Sequence, residues 1–392
     1  MAANALPHRA RIAATAVFFV NGAVFSSLFA RLPAIKADLG LSDGELGAAL
    51  LFSTVGLLGA QVVAGGLAVR YGSRAVMRVV APSYCAAVAL PALVPTGETF
   101  ALALLVLGAA NGALDLAMNV QGAAVEARYR RPLMSSLHAA FSFGALTGAG
   151  AGALLAAADV APATHLTGVA VLAGAAVVVA TGGLLAPEPS DGRRAAPLLA
   201  RPSRRLATLG ALAFCVLLAE GAVADWSAIY LRESVGSSQA VAAVGLAAFS
   251  LTMGVGRLAG DRIALAIGPP ALAGAGSLLA ATAMGAALAA QRPAATIAGL
   301  AAMGLGLAAV FPLVVSAAAD RPDVAPGAAI AAVSTTGYTG FMVGPPLIGL
   351  LAELGTLRAA LLLPALLCLL AAALSPAVRR MPLRASTGWP AK

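Results

Sequence analysis

Asn111, Asp115 and Asn119 stand four residues apart inside the apolar run 99–121, so a helix there carries all three on one face. Carboxyl and amide groups are costly in hydrocarbon and normally face a cavity or a partner. Such a row suits the binding of a polar solute or the handling of a proton. Similar groups interrupt other apolar runs: Asn21 in 12–30, His138 in 133–158, and Glu220, Asp225 and Trp226 in 206–230. The runs at 79–95, 164–186, 269–290 and 357–378 hold no charged or amide side chain beyond their ends.

Each of these residues has a structural alternative. Asp115 either pairs with a nearby Arg as a strut or takes part in function. Asn21, Asn111 and Asn119 either bond between helices, at about 1 kcal/mol each, or line a binding site. His138 lies at a depth similar to Asp115, and either forms a proton-sensitive pair with it or packs against backbone. Trp226 and Asp225 fall nearer the end of their run, where Trp also serves as an interface anchor. Tyr338, with Thr335 and Thr336, reaches either a cavity or another helix.

The elements that position them follow from composition. Of 392 residues, 60% are hydrophobic and 10% charged, against about a quarter charged in soluble domains. Too few charges exist to cover a soluble core. A bilayer is crossed by about 20 apolar residues, and twelve such runs can be read: 12–30, 47–69, 79–95, 99–121, 133–158, 164–186, 206–230, 238–259, 269–290, 294–318, 327–352 and 357–378. The expected fold is all-α, with twelve transmembrane helices in two six-helix halves. The halves are 1–186 and 206–392, the second with a short tail. The Pro-rich, basic stretch 187–205 is the linker between them. The first run is longer than a signal-peptide core and is read as an uncleaved helix.

Charge placement gives orientation. Twenty of the 25 Lys and Arg residues fall in alternate connections on one side, leaving Arg31, Lys36, Arg232, Arg292 and Arg358 on the other. By the positive-inside rule both termini are cytoplasmic, in a bacterial inner membrane. The net charge of +9 is therefore a topology signal, and no nucleic-acid partner is expected. Cys85, Cys215 and Cys368 are scattered in apolar runs, and the three His show no ligand spacing, so neither a disulfide framework, a metal nor a cofactor is expected. Ser42-x-x-Glu45 has the pattern of a capping box at the start of the second span.

The connections after spans 2 and 8 are alike. The first reads Gly65-Gly66-Leu67-Ala68-Val69-Arg70-Tyr71-Gly72-Ser73-Arg74, the second Gly256-Arg257-Leu258-Ala259-Gly260-Asp261-Arg262, with Gly268 beyond it. Here the chain resembles the major facilitator superfamily, whose loop signature is G-x-L-A-D-R-x-G-R. Val69 stands where that family has Asp, so the conformational lock the Asp supplies is in doubt in the first half, while Asp261 and Arg262 keep it in the second. The resemblance implies that Gly65, Arg70, Gly72, Arg74, Arg257, Asp261 and Arg262 govern conformational switching. By its residue type Arg257 is a partner of Asp261 or of a carbonyl, or else a substrate ligand.

The stretches 111–122, 131–138 and 220–227 resemble the fucose-permease-like group and its bacterial inner-membrane relatives. That likeness implies a central cavity lined by spans 1, 4, 7 and 10. The group uses acidic residues in spans 1 and 4 for coupling. Here span 1 has Asn21, so Glu220 has to supply the second acid beside Asp115.

A membrane enzyme needs a nucleophile–base set or metal ligands, and neither is legible. No Walker motif is present. The expected function is secondary active transport of a small polar or sugar-like solute by alternating access, coupled to protons, by a monomer in the bilayer. The alternatives are a proton-driven drug or metabolite exporter, or a facilitator without coupling. Span 5 has glycines from Gly144 to Gly152 but no proline, which departs from the Gly-Pro motif of the drug antiporters.

Overall fold

A computed structural model describes residues 2–186 and 203–379, and among these every regular element is helical. Most of the expected linker, with Arg193, Arg194 and Arg201, and the tail bearing Arg380, Arg384 and Lys392 lie outside the described residues. The helices are α1 (Ala2–Phe29), α2 (Leu32–Asp38), α3 (Asp43–Tyr71), α4 (Ser73–Ala87), α5 (Gly97–Tyr129), α6 (Met134–Ala157) and α7 (Pro162–Thr181). They continue with α8 (Arg204–Ile229), α9 (Gln239–Ile267), α10 (Pro269–Ala290), α11 (Pro293–Leu307), α12 (Val310–Ala319), α13 (Pro326–Leu354), α14 (Leu357–Ala360) and α15 (Leu362–Leu374). Among the described residues ten helical segments are long and apolar enough to cross a membrane. The 29-residue α9 and α13 run beside them.

Local chemistry explains the boundaries. Ser42 accepts from the Glu45 amide while the Glu45 carboxylate accepts from the Ser42 amide, the capping box expected from the sequence. Gly72 and Gly268 hold φ of 82° and 86° between consecutive helices, a left-handed region that costs a residue with a Cβ about 1–2 kcal/mol. The run expected at 294–318 is broken between α11 and α12. Pro312 causes this, because its ring clashes with the carbonyl four residues back, which belongs to Ala308. Pro364 breaks α14 from α15 at Leu361 in the same way.

Two sets of helices pack by one scheme. In the first, α1 lies along α6 and α3 along α5; in the second, α8 lies along α13 and α9 along α11. Small residues allow this. A Cβ at Gly144 would strike the Phe19 carbonyl, and one at Gly112 the Leu57 carbonyl. The second set repeats the device with Gly340 against Phe214 and Gly304 against Phe249. Backbones approach this closely in lipid because dispersion contacts, not water release, hold helices together.

Across the seam between the sets, α3 packs on α13 and α6 on α9. Both pairs meet at the end of the bundle where α7 finishes and α8 begins. Gly65 touches Gly327 and Ala331 there, and Gly260 touches Ser135. Among the described residues α1 and α8 scarcely touch. The linker end is therefore closed and the opposite end open.

Candidate functional site

The polar residues of the seam form one network around Asp115, which is 6% exposed. Gln61 Nε2 of α3 donates to Asp115 Oδ2 at 3.1 Å, and Asn119 Nδ2 donates to Oδ1 at 3.2 Å. The Tyr338 side chain of α13 approaches the carboxyl from the second set. Thr335 Oγ1, one turn earlier on α13, donates to Gln61 Oε1 at 3.3 Å. His138 Nε2 lies 3.1 Å from Asn119 Oδ1. Since Asn119 spends its amide nitrogen on Asp115, its oxygen must accept, and the network assigns the proton to His138 Nε2. Every donor chain therefore ends on Asp115.

An aromatic string runs beside this network. The ring of Phe18 meets His138 at 5.3 Å, His138 meets Phe311 at 5.8 Å, and Phe311 meets Tyr338 at 6.1 Å, all edge-on. Phe18 and His138 belong to the first set, Phe311 and Tyr338 to the second. The string thus carries apolar contact over the same seam.

A second polar group centres on Arg257. Its Nη1 donates to Ser142 Oγ of α6 at 2.8 Å, and its Nη2 lies 3.6 Å from Glu220 Oε1. This corrects the expectation that Arg257 pairs with Asp261 or a carbonyl. Arg257 stands ten residues before the end of α9, about 15 Å along the axis, and its side chain extends toward α8. Asp261, one turn nearer the end, instead accepts from the Ser135 and Ser136 amides at 3.0 and 2.8 Å. It caps the first turn of α6, where free amides and the helix dipole favour an anion. Glu126 caps the same turn through Leu133 and Met134.

Three other expectations are revised. His138 does not touch Asp115; it reaches it through Asn119. Among the described residues Asp115 has no Arg partner, so the strut reading lapses. Asn111 shares the helix but not the network: it is half-buried and its Oδ1 has no partner. Asn21 donates to Met118 Sδ at 3.4 Å, its Oδ1 unpartnered. Asp225 is exposed near the open end, and the Trp226 ring lies against Gly349 of α13.

Of the loop residues, Arg70 lies over the Tyr71 ring at 5.2 Å and Arg74 donates to the Gly182 carbonyl at 3.1 Å. Arg262 is exposed. Val69 packs against Gly327 near the start of α13. This pair is the counterpart of Asp261 of α9 against the start of α6.

Gln61 and Ser142 were not singled out from the sequence. Gln61 is an amide inside the run 47–69, so the criterion that picked the asparagines selects it too. Ser142 carries no such signal, because a serine in a transmembrane helix usually bonds its own backbone.

Comparison with known proteins agrees with this geometry. The model of the Major Facilitator Superfamily matches residues 14–224 and again 209–390. An uncharacterized MFS-type transporter of Yersinia pestis is 36% identical over 365 residues, covering 93% of this chain and 94% of that one. The fucose:proton symporter FucP of E. coli superposes with a TM-score of 0.79 at 16% identity, covering 95% of this chain and 98% of that one. FucP in its outward conformation gives 0.78 at 16% identity, covering 95% and 99%.

Proposed function

The chain belongs to the major facilitator superfamily, a family of multi-pass membrane transporters and not enzymes, and on that premise we propose that it is a proton-coupled secondary transporter of a small polar solute. Twelve spans in two six-helix halves rock about the seam, with both termini cytoplasmic in the inner membrane. The linker end is the cytoplasmic end, so the structure is read as facing outward.

One observation carries the coupling: the carboxyl of Asp115 belongs to one half, and its link through Gln61 to Thr335 reaches the other half. A charged Asp115 accepts from all of its donors. A protonated one has a hydrogen to donate, so one donor must turn away. The Gln61 amide can do so by turning over, Thr335 then accepting from it. Protonation then alters a bond across the seam, and a proton that binds the two facings unequally shifts their balance. His138 orients Asn119, and Glu220 is the second acid. Asp261 acts at the closed end as a latch.

Reconstituted protein in liposomes tests this. Counterflow of a labelled sugar-like solute, accompanied by pH change only when the solute is present, is the expected result. Counterflow with no proton movement makes the protein a facilitator. Solute-independent proton leak with no counterflow refutes the transport reading.

A further inference from the structure

Resting on that transport reading, we infer that the solute is an anion: Arg257 anchors a carboxylate on a hydroxylated small molecule, and Glu220 is its internal stand-in. The Arg257 side chain is 11% exposed, so its charge must be paired. Yet it is poorly paired. The Glu220 oxygen stands at 3.6 Å, whereas a charge-assisted bond closes to about 2.7–2.9 Å. The other terminal nitrogen bonds only the neutral Ser142, and Nε is buried without a partner.

A guanidinium presents its donors as a planar fork that a free carboxylate fills with two parallel bonds. Glu220 engages one nitrogen from one side. A ligand carboxylate can improve on this contact and displace it. Asp115 cannot compete, because its partners are already in place. The half-buried Tyr338 ring is available to the C–H face of a carbohydrate. Once displaced, Glu220 is free to take a proton. An anion arriving with one proton leaves the net charge of the site unchanged.

The test is a thermal-shift titration of the purified full-length chain with the sodium salts of lactate, D-glycerate, D-gluconate and D-galacturonate, against glycerol, D-glucose and D-galactose. At least one acid is expected to raise the melting temperature at millimolar concentration while its neutral counterpart does not. Arg257→Gln should weaken that acid roughly 10- to 100-fold. Glu220→Gln should bind it as tightly as wild type or more so. Arg257→Lys, which keeps the charge but loses the fork, should fall between, and it serves if the glutamine variant does not fold. Binding of neutral solutes and no acid overturns the inference and leaves the transport reading standing. Acid binding that is unchanged in both Arg257 variants, or lost in Glu220→Gln, also overturns it. So does a panel in which no acid binds; the transport reading is judged separately, by counterflow.

Discussion

Gln61 of α3 and Thr335 of α13 share a 3.3 Å hydrogen bond across the seam between the two sets of helices. The same glutamine donates to Asp115 at 3.1 Å. One amide thus ties the buried carboxyl to the opposite set, and its two ends cannot be reassigned independently. If a protonated Asp115 donates to Gln61, the amide must turn over, and Thr335 changes from donor to acceptor.

Substitution within this network should separate exchange from accumulation. Asp115→Asn replaces an acceptor with a donor facing Gln61 and Asn119. Net accumulation in liposomes is expected to fall to background in Asp115→Asn and in Glu220→Gln, while counterflow, which needs no proton cycle, persists. Tyr338→Phe keeps the ring contact with Phe311 but removes a hydroxyl near Asp115, and should lower the protons moved per solute. Accumulation against a gradient in both acid variants would refute the roles given to Asp115 and Glu220.

The latch at the closed end has an expected magnitude. Asp261 accepts from two backbone amides, and a bond to a charged group contributes about 1.5–3 kcal/mol. Asp261→Asn should therefore shift the balance toward an open linker end by roughly 10- to 100-fold. Thiol labelling of Ala331→Cys, which lies against Gly65 in the closed state, reports it; the three native cysteines are buried. Equal labelling rates with and without Asp261 rule the latch out. Val69→Asp, placed near the first turn of α13, should slow labelling.

Helix contact through Gly144 is a matter of space. Gly144→Val puts its Cβ on the Phe19 carbonyl, so α1 and α6 must separate. A loss of about 1–3 kcal/mol or more is expected, read as a lower melting temperature or loss of folded protein in detergent. Gly150, whose Cβ would meet nothing, is the control: Gly150→Ala should leave the melting temperature near wild type.

Orientation can be checked with reporters. A fusion after Arg194 or at Lys392 should report cytoplasm, and an insertion near Thr96, the N-cap of α5, the outside. A periplasmic signal at Lys392 contradicts the twelve-span topology.

Much was legible because it depends on neighbours in sequence. Apolar length gave the long helices, the Ser42–Glu45 spacing gave a cap, and Gly72 marked a turn that needs positive φ. The polar row from Asn111 to Asn119 named the helix that carries Asp115, since period alone places those residues on one face. The breaks before Pro312 and Pro364 fell inside runs read as continuous, because apolar length does not register a proline. The partners were not legible. Whether His138 meets Asp115 or Asn119, and whether Arg257 turns to Asp261 or to Glu220, depends on the rotation and relative height of packed helices. Those are set by where Gly144, Gly112, Gly340 and Gly304 let backbones touch. A side chain's distance to another helix is not contained in its own run of sequence, so only the tertiary structure could bring Gln61, Asp115 and Thr335 to one point.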